Sequence, residues 1–115
     1  MTLTKYERSN TIKTEVDFKM SGNLTDPSGN NAWIHVIKSD GTYLISGGAG
    51  TRTGTGEYKY FFQTDGADPL GVYVVEWYGY HYLGGSYGTK KLVQRDAIQI
   101  VDDIISSNRI IGRVF

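Results

Sequence analysis

The sequence predicts an all-β protein: an antiparallel immunoglobulin-like β-sandwich of about seven strands with short terminal arms. Three observations carry that expectation. Short runs alternate apolar and polar residues with a period of two; clusters of Gly, Pro, Asn and Asp divide the runs at near-regular spacing; and no segment before the C-terminal tail shows a persuasive helical period. A small barrel is the nearest other arrangement.

The first strand is the clearest. In "TIKTEVDFKM", Ile12, Thr14, Val16, Phe18 and Met20 share one side, and Thr11, Lys13, Glu15, Asp17 and Lys19 the other. Such alternation describes a half-buried strand with a charged face in water. "SGNLTDPSGNN" breaks the pattern, with a β-turn at Asp26-Pro27-Ser28-Gly29. "AWIHVIKSDGTYLIS" reads as a hairpin: a strand over 32–38, a type I′ turn signal at Asp40-Gly41, and a return over 43–45. "GGAGTRTGTG" reads as a flexible loop or irregular edge, with Arg52 at a solvated tip. "EYKYFFQ" alternates again and puts Tyr58, Tyr60 and Phe62 on one face. A turn, "TDGADPLG", leads into the aromatic strand "GVYVVEWYGYHY", and "KKLVQRDAIQIV" closes the set, with Ile98 and Ile100 facing inward. Asp102-Asp103 ends that strand and caps the tail beyond it.

At 115 residues the chain suits one domain, 1–103, followed by an apolar arm, 104–115. It has no cysteine, so stability must come from packing or from assembly rather than from disulfides. Twelve basic residues balance twelve acidic ones, which argues against nucleic acid as a partner. No apolar run approaches the roughly 20 residues of a membrane span, and the N-terminal stretch lacks the apolar centre of a signal peptide. The expectation is therefore no membrane partner and a protein that works, or is assembled, where it is made.

Parity divides the aromatic strand. Tyr73, Val75 and Trp77 project to one side, while Glu76 marks the other side as the wetter one. That places Tyr73 and Trp77 in the core, with the Tyr73 hydroxyl positioned to bond back to the backbone of the preceding turn. The expected core is Val16, Phe18, Ile34, Val36, Tyr60, Phe62, Tyr73, Val75, Trp77, Ile98 and Ile100. Tyr78, Tyr80 and Tyr82 continue the Glu76 face and exceed what a core needs. Tyrosine gives large contact area at small entropic cost, so these three are candidate protein-interface residues. The other reading is a cross-strand ladder against Tyr58 and Tyr60 under a loop.

Catalytic and cofactor chemistry is not legible. Gly48-x-Gly50 would need glycine at Thr53 for a dinucleotide fingerprint, and Val72 and Tyr73 stand where a P-loop beginning at Gly66 needs lysine and Ser/Thr. His35 and His81 lie within strands, without ligands at metal spacing. Asp65 and Asp68 share a turn that could touch calcium, but aspartates beside glycine and proline are ordinary turn formers. No nucleophile stands beside a base. The expectation is a non-enzyme without cofactor or metal.

"LTKYERSNTIKTEVDF", the "DPLGVYVVEWYG" corner and "VQRDAIQIVDD" together resemble small immunoglobulin-like structural proteins of tailed bacteriophages and archaeal tailed viruses. The resemblance implies a virion building block at the head–tail junction, tail or capsid surface. It also implies assembly in the host cytoplasm with copies of itself and neighbouring virion proteins. Two other functions fit the residues: a carbohydrate-binding module with Trp33, Tyr78, Tyr80 and Tyr82 as stacking platforms, and a phage-encoded inhibitor of a host protein. In the tail, Ile104, Ile105, Ile110, Ile111, Val114 and Phe115 are too apolar for a solvated end. As a strand the tail would be apolar on both faces, so it is expected to be an interface arm added to a neighbour, the other reading being a tail folded back over its own domain.

Overall fold

A computed structural model describes residues 3–102, so the predicted arm with Ile104, Ile105, Ile110, Ile111, Val114 and Phe115 lies outside the described residues. The strands are β1 (Thr4–Glu7), β2 (Thr11–Asp17), β3 (Lys19–Met20), β4 (Asn23–Leu24), β5 (Trp33–Ile37), β6 (Tyr43–Ala49), β7 (Thr51–Gly54), β8 (Glu57–Gln63), β9 (Gly71–Tyr82) and β10 (Thr89–Val101). They form a five-stranded sheet, β1-β10-β9-β5-β6, a three-stranded sheet, β2-β8-β7, and a small β3-β4 pair. The two larger sheets pack face to face, and the fold is an all-β sandwich.

Ten strand segments exceed the expected seven, and two of the additions have a plain cause. The Phe18 N–H leaves the β2 ladder to donate to the Gly56 carbonyl at 2.7 Å, which ends β2 after Asp17. And the glycine-rich stretch read as a loop is two strands: β6 runs along the edge of one sheet, and the chain crosses at Gly50 to enter the other sheet as β7. At the crossing the Gly50 N–H donates to the Ala32 carbonyl at 2.9 Å. A Cβ there would stand 2.5 Å from the Trp77 ring, so only glycine fits.

A purely antiparallel sandwich is also corrected at one edge. β1 pairs in parallel with β10, from Thr4↔Ile98 to Glu7↔Val101. No hairpin imposes a direction on β1, because the chain passes from it straight to β2 in the opposite sheet. The β5–β6 turn differs as well. Gly41 alone has positive φ, +90°, whereas a type I′ turn needs it at both central residues. The bonds Gly41 N–H to Lys38 carbonyl (2.9 Å) and Lys38 N–H to Thr42 carbonyl (2.7 Å) instead define a wider loop closed by the glycine.

Inward positions follow the predicted parity. Val16, Phe18, Ile34, Val36, Phe62, Tyr73, Val75, Trp77, Ile98 and Ile100 are buried. Tyr60 is a correction: it is only partly buried and packs against the rim of the core. Ile12, Ala32, Tyr58 and Leu92 join the core. The Trp77 Nε1–H donates to Thr14 Oγ1 at 3.1 Å, joining the sheets through a side-chain bond.

Two polar anchors fix the loops. The Tyr73 hydroxyl donates to the Pro69 carbonyl at 2.6 Å, as the corner sequence predicts. Tyr73→Phe should cost about 1–2 kcal/mol in denaturant melts, since it strands a carbonyl but keeps the ring; an unchanged midpoint would show that the bond contributes nothing. The second anchor is Asp26. It accepts from Arg52 Nε (3.0 Å) and Nη2 (2.8 Å), from the Gly56 N–H (2.9 Å) and from the Tyr58 hydroxyl (2.9 Å). Arg52 is therefore not a solvated tip; it ties β7 to the turn before β5. The Arg52 guanidinium, and then the Gly56 and Tyr58 donors, hold the Asp26 carboxyl well below the usual carboxylate range against the opposing effect of burial. Burial, reinforced by Asp26, pushes the Tyr58 hydroxyl up to about 12.

Candidate functional site

The candidate site is the outer face of the five-stranded sheet. Alternation along β9 sends Val72, Val74, Glu76, Tyr78, Tyr80 and Tyr82 outward, while Tyr73, Val75 and Trp77 fill the core. The same alternation sends Trp33, His35 and Ile37 outward from β5. Antiparallel register then sets Trp33 opposite Tyr78, His35 opposite Glu76, and Ile37 opposite Val74. Cross-strand neighbours on one face are the residues that touch in a sheet.

The rings form one connected cluster. Trp33 stacks on Tyr78 with centroids 5.8 Å apart and planes 26° apart. His35 lies 4.8 Å from Tyr78 at 31°. Tyr43 from β6 meets His35 nearly edge-on at 5.2 Å, and Tyr80 meets both Trp33 (6.1 Å) and Tyr78 (6.2 Å) at steep angles. Lys91 of β10 places its ammonium 4.9 Å from the Tyr78 ring centre. One ion pair, Arg95 Nε to Glu76 Oε2 at 2.7 Å, borders the cluster. Burial raises the Tyr78 hydroxyl above its ordinary value, with Tyr80, Glu76 and Tyr43 adding to it. The face nevertheless opens to solvent: Tyr80 is 42% exposed, Tyr43 53% and Tyr82 61%.

His35 is the polar pin of the cluster. Its Nδ1 accepts a hydrogen bond from the Gly47 N–H at 2.9 Å. Gly47 sits at φ +72°, where the β5–β6 pairing shifts register. A Cβ on Gly47 would lie 3.6 Å from the Tyr78 hydroxyl, so this bulge also forms the floor beside Tyr78.

Of the predicted interface tyrosines, the structure brings Tyr78 and Tyr80 together. Tyr82 extends the same face without a ring contact among the described residues. The ladder with Tyr58 and Tyr60 does not form, because β8 belongs to the other sheet. The partners of Tyr78 are on β5 instead. The sequence reading weighs His35 only as a metal ligand and assigns neither it nor Tyr43 to this face; the parity of "AWIHV" carries the signal for His35, since Ile34 and Val36 claim the opposite side.

The remaining candidates have structural work. Asp68 pairs with Lys38 Nζ at 2.8 Å and accepts from the Asp65 N–H, and Asp65 accepts from the Ala67 N–H. Among the described residues no group of three potential metal ligands converges. The His81 Nδ1 is the exception, buried with no hydrogen-bond partner among the described residues. A groove of about 130 Å³ lies between β1, β2 and β10, and shallow depressions of about 300 and 370 Å³ lie at Glu15–Asp17 and at Val74, Arg95, Asp96 and Ala97.

Two of the four edges of the larger sheets, β2 and β6, are poor alternatives to the face. β2 carries Lys13, Glu15 and Asp17, and β6 is broken by two register shifts against β5. Charges and bulges of this kind are how natural sheets discourage edge pairing. The protein is thus a β-sandwich with an aromatic face on its wider sheet. No protein-family model, curated protein or solved structure matches the chain.

Proposed function

We propose that the chain is a non-enzymatic structural protein that docks a protein partner on the aromatic face. The observation that carries this is the cluster of Trp33, His35, Tyr43, Tyr78 and Tyr80, which no described element covers and which only one ion pair and Lys91 interrupt. Aromatic rings amid few charges are the usual composition of an interface centre. The setting we propose is the virion of a tailed virus, at the head–tail junction, tail or capsid surface, assembled in the host cytoplasm. That setting rests on the resemblance of the "DPLGVYVVEWYG" corner and the two terminal strands to immunoglobulin-like virion proteins. Partners would be copies of the chain and neighbouring virion proteins, with the 104–115 segment as a second contact.

A glycan-binding module is the second reading, favoured by the hydroxyl and N–H groups at the rims of Tyr78, Tyr80 and Trp33. Sedimentation separates the two. An oligomer, or a complex with products of adjacent genes, supports assembly; a monomer retained by an oligosaccharide array supports the glycan. In either case Trp33→Ala and Tyr78→Ala should weaken binding by about 2 kcal/mol or more, roughly thirtyfold, while the fold still melts cooperatively. Full binding by both variants would remove the face from the function.

A further inference from the structure

We infer that His35 is a proton-operated latch on the aromatic face: its neutral ring holds the Gly47 bulge and the floor beside Tyr78, and a second proton releases them. This deepens the docking proposal and rests on it only for its consequence. The geometry fixes the chemistry. An imidazole nitrogen that accepts an N–H bond must present a lone pair, so Nδ1 is bare and the single ring proton is on Nε2. When a proton from solvent adds to Nδ1, both ring nitrogens become donors. The Gly47 N–H then faces another N–H, and the 2.9 Å contact becomes repulsive.

Strand pairing skips Gly47 itself. Gly47 is the residue where the β5–β6 ladder slips register, between Ile34↔Gly48 and His35↔Ser46, so the imidazole supplies the acceptor that the ladder does not. Around the ring, Tyr78 and Glu76 of β9 and Tyr43 and Ser46 of β6 are its neighbours. The Glu76 carboxylate stands opposite His35 in the ladder and accepts from Arg95 Nε at 2.7 Å. The imidazolium would lie 4.8 Å from one ring, Tyr78, whose centre already has the Lys91 ammonium at 4.9 Å. The consequence is a docking face that is ordered when His35 is neutral and unlatched when it is charged.

The test is nuclear magnetic resonance on the full chain across the titration of His35. At the neutral end the ring nitrogens should show the Nε2–H form. As the His35 carbon resonances titrate, the Gly47 amide should move in step, and its hydrogen exchange, corrected for the intrinsic pH dependence, should accelerate by about fivefold or more. In His35→Asn the Oδ1 replaces Nδ1 as acceptor and takes no proton, so Gly47 should stay protected throughout. In His35→Ala it should be unprotected throughout. A Gly47 amide indifferent to His35 titration, or a His35→Asn protein following the wild-type curve, overturns the latch. These readouts need no partner: failure of Trp33→Ala and Tyr78→Ala to weaken docking would defeat the docking proposal alone.

Discussion

Trp77→Ala is expected to cost about 3–5 kcal/mol and to lower the melting temperature by roughly 15 °C or more. Trp77 is 2% exposed at the centre of β9, flanked by Val75 on the same face. Its ring fills the space that Gly50 leaves by lacking a side chain, and its Nε1–H reaches Thr14 in the opposite sheet. Truncation therefore opens a cavity and also strands the Thr14 hydroxyl. Trp77→Phe separates the two effects, since it keeps most of the packing and loses the bond. Loss of this size consumes much of the stability of a domain this small. A Trp77→Ala protein melting within a few degrees of the parent would show that β9 does not present this side chain to the core.

The second large effect is expected at Asp26. Asp26→Ala removes the acceptor shared by Arg52, Gly56 and Tyr58, and should cost about 2–4 kcal/mol. Arg52 can turn into water, being 41% exposed, but the Tyr58 side chain is in the core and its hydroxyl cannot. The loss should depend on pH. Because folding lowers the proton affinity of Asp26, its contribution is complete above the unfolded value of 3.8 and declines as pH falls below it. Asp68, lowered by Lys38, adds to the same acid limb. Tyr58 has the opposite sign: its contribution is complete below 10.0 and is lost as pH rises towards about 12. Urea melts of parent and Asp26→Ala should thus converge at low pH. A gap that stays constant down to about pH 2 would mean that the carboxylate charge is not what stabilises this corner.

The sequence made the sheet interior legible because side-chain parity is local. Val16 and Phe18, Ile34 and Val36, and Tyr73, Val75 and Trp77 needed only their immediate neighbours to be assigned inward. The Tyr73 anchor was legible for the same reason, since donor and acceptor are four residues apart. What failed was everything set by distant contact. Arg52 looked solvated because its partner, Asp26, stands 26 residues away in a turn. The glycine stretch looked irregular because glycine hides strand propensity, although here its small size lets β6 and β7 pass Trp77. Tyr78 was rightly placed outside, but its neighbours could not be named until β5 proved to be the strand beside β9. The parallel β1–β10 pair left no trace in four residues of alternation.

That parallel pair has a mechanical consequence. Tension entering ahead of Thr4 and leaving beyond Asp102 pulls β1 backwards along its own axis and β10 forwards along the same line. The bonds from Thr4↔Ile98 to Glu7↔Val101 are then loaded together, in shear, rather than opened one after another as in a hairpin peeled from its end. Beside them, the long β9–β10 ladder runs from Thr89↔Tyr82 to Ile100↔Gly71 and carries load to the centre of the sheet. The edge strand that looks most dispensable is therefore the clasp through which a pull on the two ends must pass.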